Sequence, residues 1–154
     1  RTETIESKLD NSDKQGAGNE IRQYLEFILS EACHNFVVQI PFRKNGKYTL
    51  NDYFQNFGSR ILQIKLYSNN SWRDQLLQIY AELDANRSMI NSLSHYGDIS
   101  NSFSIEEIKT VYMKAKELEK LMSCTGCDLM LEYDQSSKLI RCVNHKCKVK
   151  TIYQ

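Results

Sequence analysis

Four cysteines near the end of the chain are the residues whose type and spacing most directly imply chemistry. "CTGCD" supplies Cys124 and Cys127 as C-x2-C, and "RCVNHKC" supplies Cys142 and Cys147 as C-x4-C, with fourteen residues between the pairs. Each pair fits one tight loop. The spacer alternates apolar and polar residues around the turn-like "DQSSK", which predicts a hairpin that brings the two loops together. Four thiolates then surround one Zn²⁺ at roughly 2.3 Å each, a closed tetrahedral shell that holds structure and leaves no position for a substrate. His145 lies inside the second pair and is the alternative ligand. A redox pair is disfavoured, because "CTGCD" does not open a helix after a strand. A module of about thirty residues buries too little surface to fold alone, so the metal would supply the missing stability. Arg141, Lys146, Lys148 and Lys150 stand beside the ligands as a basic cluster, suited to a phosphate backbone or simply to solvent. The fifth cysteine, Cys33, follows Ala32 on a helix and reads as a small buried apolar residue.

Three further groups of polar residues stand out. Arg22 and Glu26 are four apart on a helix, with the cation first, the less favourable order and the wrong end of the macrodipole. Helix stability alone would not choose that arrangement, although the penalty is only tenths of a kcal/mol. In "NRSMINSLSHYGD", Arg87, Asn91 and His95 share one stripe if the helix runs through His95. Finally, "QIPFRKNGKYTLNDYF" alternates Arg43, Lys44 and Lys47 with Phe42 and Tyr48, a possible RNA-facing edge.

The elements that must position these groups are mostly helical. Residues 1–18 are polar and end in the glycine-containing "KQGAGN", which predicts a linker or the end of an upstream segment. A helix is expected from Asn19, capped by that residue, with Ile21, Leu25, Ile28, Leu29 and Ala32 on one face and an end before Pro41. An Asn-Gly turn and the pair Thr49/Asp52 precede a short helix carrying Leu50, Tyr53, Phe54 and Phe57. "SRILQIKLYSNN" fits helix or strand equally. Ser71 then caps a long helix reaching at least to Leu93, "HYGDISNSF" is a loop by composition, and Ser104 with Glu107 forms a capping box for a final helix down to Met122. "LMLEYD", "KLIRC" and "VKTIY" are short β-rich runs. The expected fold is therefore mainly α, a bundle of four or five helices followed by a small β zinc ribbon, divided at 1–18, 19–122 and 123–154.

The 154 residues carry a net charge of +1, so bulk charge gives no argument for nucleic-acid binding, and no apolar run is long enough for a membrane span. The composition is that of a globular protein in a reducing compartment, because the cysteines cluster rather than spread as a disulfide scaffold would. No internal repeat is evident.

Together, "EIRQYLEFILSEA", "YTLNDYF" and "ANRSMINSLSHYGD", followed by a helix opening "SIEEI", resemble the HEPN superfamily over about residues 19–122. The resemblance is greatest to the C-terminal part of bacterial ATPase-coupled anticodon nucleases. It implies a small helical bundle that acts as a metal-independent endoribonuclease on tRNA or another structured RNA, in a prokaryotic, cytoplasmic defence or toxin system. A symmetric homodimer and an upstream ATPase region are further implications, and the start at Arg1 with its polar lead-in fits such a cut. The anticodon-nuclease subgroup pairs an Arg with a Glu one turn later and a downstream His, which implies catalytic roles for Arg22, Glu26 and His95. Arg87, Asn91, Arg43, Lys44 and Lys47 would then contact substrate. The wider superfamily places an Arg four to six residues before its His; here seven residues intervene between Arg87 and His95, which favours Arg22 as the catalytic cation. Two alternatives stay open: a non-catalytic HEPN-like module for dimerisation or RNA binding, and a zinc-ribbon nucleic-acid-binding protein with a helical scaffold.

Overall fold

A computed structural model describes residues 1–66, 71–93 and 102–147, together with the backbone of 152–153. The polar lead-in is a helix. Helix α1 (Thr2–Asp10) buries Ile5 and Leu9, one turn apart, against the rest of the molecule. Its polar residues are tied down as well. Tyr112 donates to Glu6 at 3.0 Å, and Arg1 donates to the Gln23 carbonyl at 3.1 Å with its guanidinium 5.4 Å above the Phe27 ring. The expected linker is thus corrected, because two apolar residues on one stripe suffice to seat a nine-residue helix.

Ser12 turns the chain in the left-handed region at φ 56°, and the Asp13 carboxylate accepts from Gly16 N–H to start α2 (Lys14–Asn35). The helix therefore begins before Asn19 and runs through "KQGAGN". Gly18 is there for packing and not for flexibility: a Cβ on it would lie 2.4 Å from Leu93 Cβ. The glycine lets two helices approach more closely than alanine would.

Gly46 at φ 64° closes the Asn-Gly turn onto the Arg43 carbonyl, and the reciprocal bonds of Thr49 and Asp52 cap α3 (Leu50–Gln63). The ambiguous "SRILQ" thus continues that helix. Helix α4 (Ser71–Ala85) has Ser71 as its first helical residue, and residues 67–70 lie outside those described. At Asn86 the expected long helix breaks: its side chain bonds the Glu82 carbonyl at 2.8 Å, a local competitor to the helical ladder. A separate α5 (Arg87–Leu93) follows, and α6 (Ile105–Leu121) starts from the Ser104/Glu107 capping box. The predicted loop "HYGDISNSF" falls largely on residues 94–101, outside the described set.

Strands β1 (Leu131–Asp134), β2 (Leu139–Cys142) and β3 (Ile152–Tyr153) form an antiparallel sheet in that order, with Leu131 opposite Cys142 and Asp134 opposite Leu139. The protein is thus mainly helical with a small β cysteine ribbon at the end. The described helices number six, because α1 is added and α5 separates from α4.

The ribbon does not hang from a tether. Leu131 N–H bonds the Met122 carbonyl at 2.7 Å, and Leu131 and Ile140 join the same apolar cluster as Leu25, Phe36 and Trp72. Trp72 stacks on Phe36 at 6.2 Å and donates its indole N–H to the Leu121 carbonyl at 2.7 Å. The end of α6 is thereby fastened to α4 where the ribbon begins. Among the described residues no helix is long and apolar enough to cross a membrane.

Candidate functional site

The four predicted cysteines converge. The sulfurs of Cys124, Cys127, Cys142 and Cys147 all lie within 4.8 Å of one another, with Cys124 and Cys147 at 3.9 Å and Cys127 and Cys142 at 3.4 Å. A tetrahedral site with metal–sulfur bonds of about 2.3 Å requires sulfur–sulfur edges of roughly 3.8 Å, so this arrangement can hold one metal ion. Each loop turns its own amides inward: Gly126 N–H points at Cys124 Sγ and Asn144 N–H at Cys142 Sγ, both at 3.4 Å. Such donors favour thiolates, which a metal requires. Burial, then the neighbouring thiols, push the Cys142 thiol up to about 12. A cation at the centre would reverse that preference. Cys33 is buried as expected.

The alternative ligand is corrected. His145 Nε2 lies 2.9 Å from Glu132 Oε1 and is directed to that carboxylate instead of the sulfurs. Arg141 is likewise engaged, 3.4 Å from Glu132 and 3.2 Å from Asp134. The basic cluster of the ribbon therefore keeps only Lys146 exposed among its described members; Lys148 and Lys150 lie outside them.

The second candidate lies on α2. Arg22 Nη1 donates to Glu26 Oε1 at 2.7 Å, and Nη2 reaches Asn19 Oδ1 at 3.4 Å. Its Nε is buried and makes no hydrogen bond among the described residues. The side chains of the pair keep 30% and 27% of their surface exposed, so the ion pair itself contributes only about 0.3–0.5 kcal/mol. A buried unsatisfied N–H costs more than such a pair returns, so stability does not explain the placement.

Helices α3 and α5 both pack on the helix that carries this pair. On α3, burial, then Cys33, then Glu26 raise the Tyr53 phenol above its ordinary value. From α5, Asn91 Nδ2 donates to Asn51 Oδ1 at the start of α3, at 3.2 Å. Leu93, also on α5, is buried in the close approach at Gly18, one turn of α2 before Arg22. His95 lies outside the described residues. Arg87 is held elsewhere, its Nε 3.2 Å from Asp84 Oδ1 of α4 in an ion pair that lacks hydrogen-bond alignment.

In the basic-aromatic loop, Arg43 is bonded to Asp52 Oδ1 at 2.6 Å and so braces the α3 cap. The bonds from Thr49, then the Arg43 guanidinium, hold the Asp52 carboxyl below its usual value. Lys44, Lys47 and Phe42 are exposed, Phe42 to 88%. Tyr48 joins this loop to the pair by tilting against Tyr53 at 6.4 Å. Sequence reasoning did not single out Asn19, Asn51 or Tyr53 as site residues, having read Asn19 as a cap and Tyr53 only as one of the residues that mark a short helix. The signal available was slight: Tyr53 follows Asp52 directly in a capping sequence.

No protein-family model, curated protein or solved structure matches this chain.

Proposed function

We propose that the helical part is a HEPN-type, metal-independent endoribonuclease acting on tRNA or another structured RNA, with Zn²⁺ in the ribbon as a structural ion. The observation that carries this reading is the Arg22–Glu26 pair, whose Arg22 Nε is buried without a hydrogen bond among the described residues, one turn of α2 from the Gly18–Leu93 approach. His95 follows Leu93 by two residues, and in this proposal its imidazole and the Arg22 guanidinium share one phosphodiester.

RNA carries its own nucleophile. The 2′-oxygen attacks phosphorus, the bond to the 5′-oxygen breaks, and a 2′,3′-cyclic phosphate and a 5′-hydroxyl result. Arg22 neutralises the charge that builds on the non-bridging oxygens. The Glu26 carboxylate orients Arg22 and takes the 2′-hydroxyl proton, and His95 returns a proton to the leaving oxygen. Lys44, Lys47 and the Phe42, Tyr48 and Tyr53 rings would carry the flanking strand. A symmetric dimer in a prokaryotic cytoplasm, coupled to an ATPase, completes the proposal. The zinc takes no part in the reaction, because four thiolates close its shell.

The test is cleavage of a tRNA pool by purified protein, compared with Arg22→Ala and His95→Ala. Cyclic-phosphate ends that vanish in both variants support the site; unchanged cleavage in both removes it. A second reading, an RNA-binding or dimerising module without catalysis, draws on the engagement of Arg22 by Glu26 and of Arg87 by Asp84. It predicts RNA binding with no cyclic-phosphate product at any enzyme concentration.

A further inference from the structure

A concavity of about 590 Å³ opens where α3, the chain after α2 and the β1–β2 turn meet. Gln39, Asn56, Gln63 and Gln135 line it, with Arg60 and Tyr133. None of its lining residues is acidic. Arg60 is fixed in place: its Nε donates to the Phe36 carbonyl at 2.9 Å, and its guanidinium carbon sits 5.2 Å over the Tyr133 ring. These contacts orient the guanidinium plane through Nε and one face, so its terminal nitrogens can serve a ligand. The nearby ribbon carboxylates, Glu132 and Asp134, are already taken by Arg141 and His145, and the charge presented to the cleft is the Arg60 cation.

We propose that this cleft binds a short stretch of single-stranded RNA, with a phosphate on Arg60 and base edges on the side-chain amides of Gln39, Gln63 and Gln135, while Asn56 Nδ2 is held by the Asp52 carbonyl at 2.7 Å. The inference rests on the RNA reading above. An amide offers both donors and an acceptor, which is what a base edge needs; a bare anion would use the guanidinium and leave the three glutamine amides idle. Continuity with the first site supports the same ligand. Tyr53, Asn56, Arg60 and Gln63 follow one another at i, i+3, i+7 and i+10 on α3, a single stripe about 15 Å long. It runs from Tyr53, one of the rings assigned to the flanking strand above, into the cleft. A strand cut at Arg22 would be gripped at its far end by the junction of helices and ribbon.

The experiment uses the full chain carrying Arg22→Ala, so that RNA is not consumed, and a labelled twelve-nucleotide single-stranded RNA of mixed sequence read by fluorescence anisotropy. Gln63 and Gln135 are exposed, so Gln63→Glu with Gln135→Glu should leave the melting curve in place while weakening binding at least tenfold. Arg60→Lys, which keeps the charge but loses the fork, should weaken it several-fold. Unchanged affinity in the double variant overturns the cleft even if the wild-type chain cleaves RNA, and so does a parent chain that fails to bind the oligonucleotide. Tenfold weaker binding together with a wild-type chain that never cleaves keeps the cleft and removes the nuclease.

Discussion

The ribbon and the α2–α3–α5 surface hold their polar groups by opposite means. In the ribbon, each pair of thiols is placed by its own tight loop and by amides two residues away, Gly126 for Cys124 and Asn144 for Cys142. The geometry is local, and one hairpin supplies the rest. On α2, only the Arg22–Glu26 bond is local. Tyr53, Asn51, Asn91 and the Leu93 exit arrive from two other helices, and what sets them is apolar packing at Gly18 and beneath Tyr53. A metal-type site can thus be built by short-range chain geometry, whereas a grouping of polar side chains from several helices depends on how those helices cross.

Breaking each region should expose the contrast, and the largest effect belongs to the ribbon. Structural zinc carries an apparent binding free energy of about 10–16 kcal/mol in small modules. Cys127→Ser, or chelation, should release the ion and lower the thermal melting point of the whole chain, because Leu131 and Ile140 belong to the common core. Metal analysis beside a melt reads both. An unshifted melt after complete metal loss would mean that packing alone holds the ribbon.

Next in size is Arg22→Ala. Removing a transition-state cation should cost roughly 10²-fold or more in cleavage rate, while an ion pair this exposed should cost less than about 1 kcal/mol in stability. A denaturant titration and a cleavage assay on the same preparation separate the two. A large stability loss with it would recast the pair as structural.

Gly18→Ala comes third. The new Cβ would meet Leu93 Cβ at 2.4 Å, so α5 must shift, at about 1–3 kcal/mol of overpacking. If the surface depends on that crossing, RNA cleavage should fall along with stability; if cleavage is untouched, the α5 exit is not part of the site. Gly58, whose added Cβ would meet Tyr80 at 2.6 Å, gives a matched control away from Leu93.

The smallest effect is confined to alkaline pH. Burial first, then Asp84, push the Tyr80 phenol from 10 to about 12; burial first, then the bond to Glu6, do the same for Tyr112. A group with a raised folded value contributes stability that is complete below its unfolded value and is lost as pH rises through the folded one. Melting points should therefore be insensitive to these phenols below about pH 9 and fall between pH 10 and 12, with phenolate absorbance rising in step. Tyr80→Phe should also remove its bond to the Phe54 carbonyl and flatten part of that fall.

Much of this molecule was legible because its signals are short-range. Thr49 with Asp52 and Ser104 with Glu107 start helices where their spacing says they should, and the four cysteines meet as their spacing requires. Three readings failed, two of them for one reason. Residues 1–18 look like a linker until Ile5 and Leu9 find a surface, "KQGAGN" looks flexible until Gly18 meets Leu93, and the run from Ser71 looks unbroken until Asn86 bonds back to Glu82. In the first two, the partner lies far away in the chain.

By itself the sequence determined the elements whose bonds close within a few residues: the capping boxes, the Asn-Gly turn, the apolar stripes of α2 and α6, and the thiol loops. Tertiary structure alone decided which helices touch, and so whether Arg22 and Glu26 acquire Tyr53 and the α5 exit as neighbours, and whether Arg60 and the ribbon enclose a cleft. The physical reason is that hydrogen bonds between near neighbours are set by backbone geometry, while apolar burial is non-directional and is satisfied only when the whole set of faces is present.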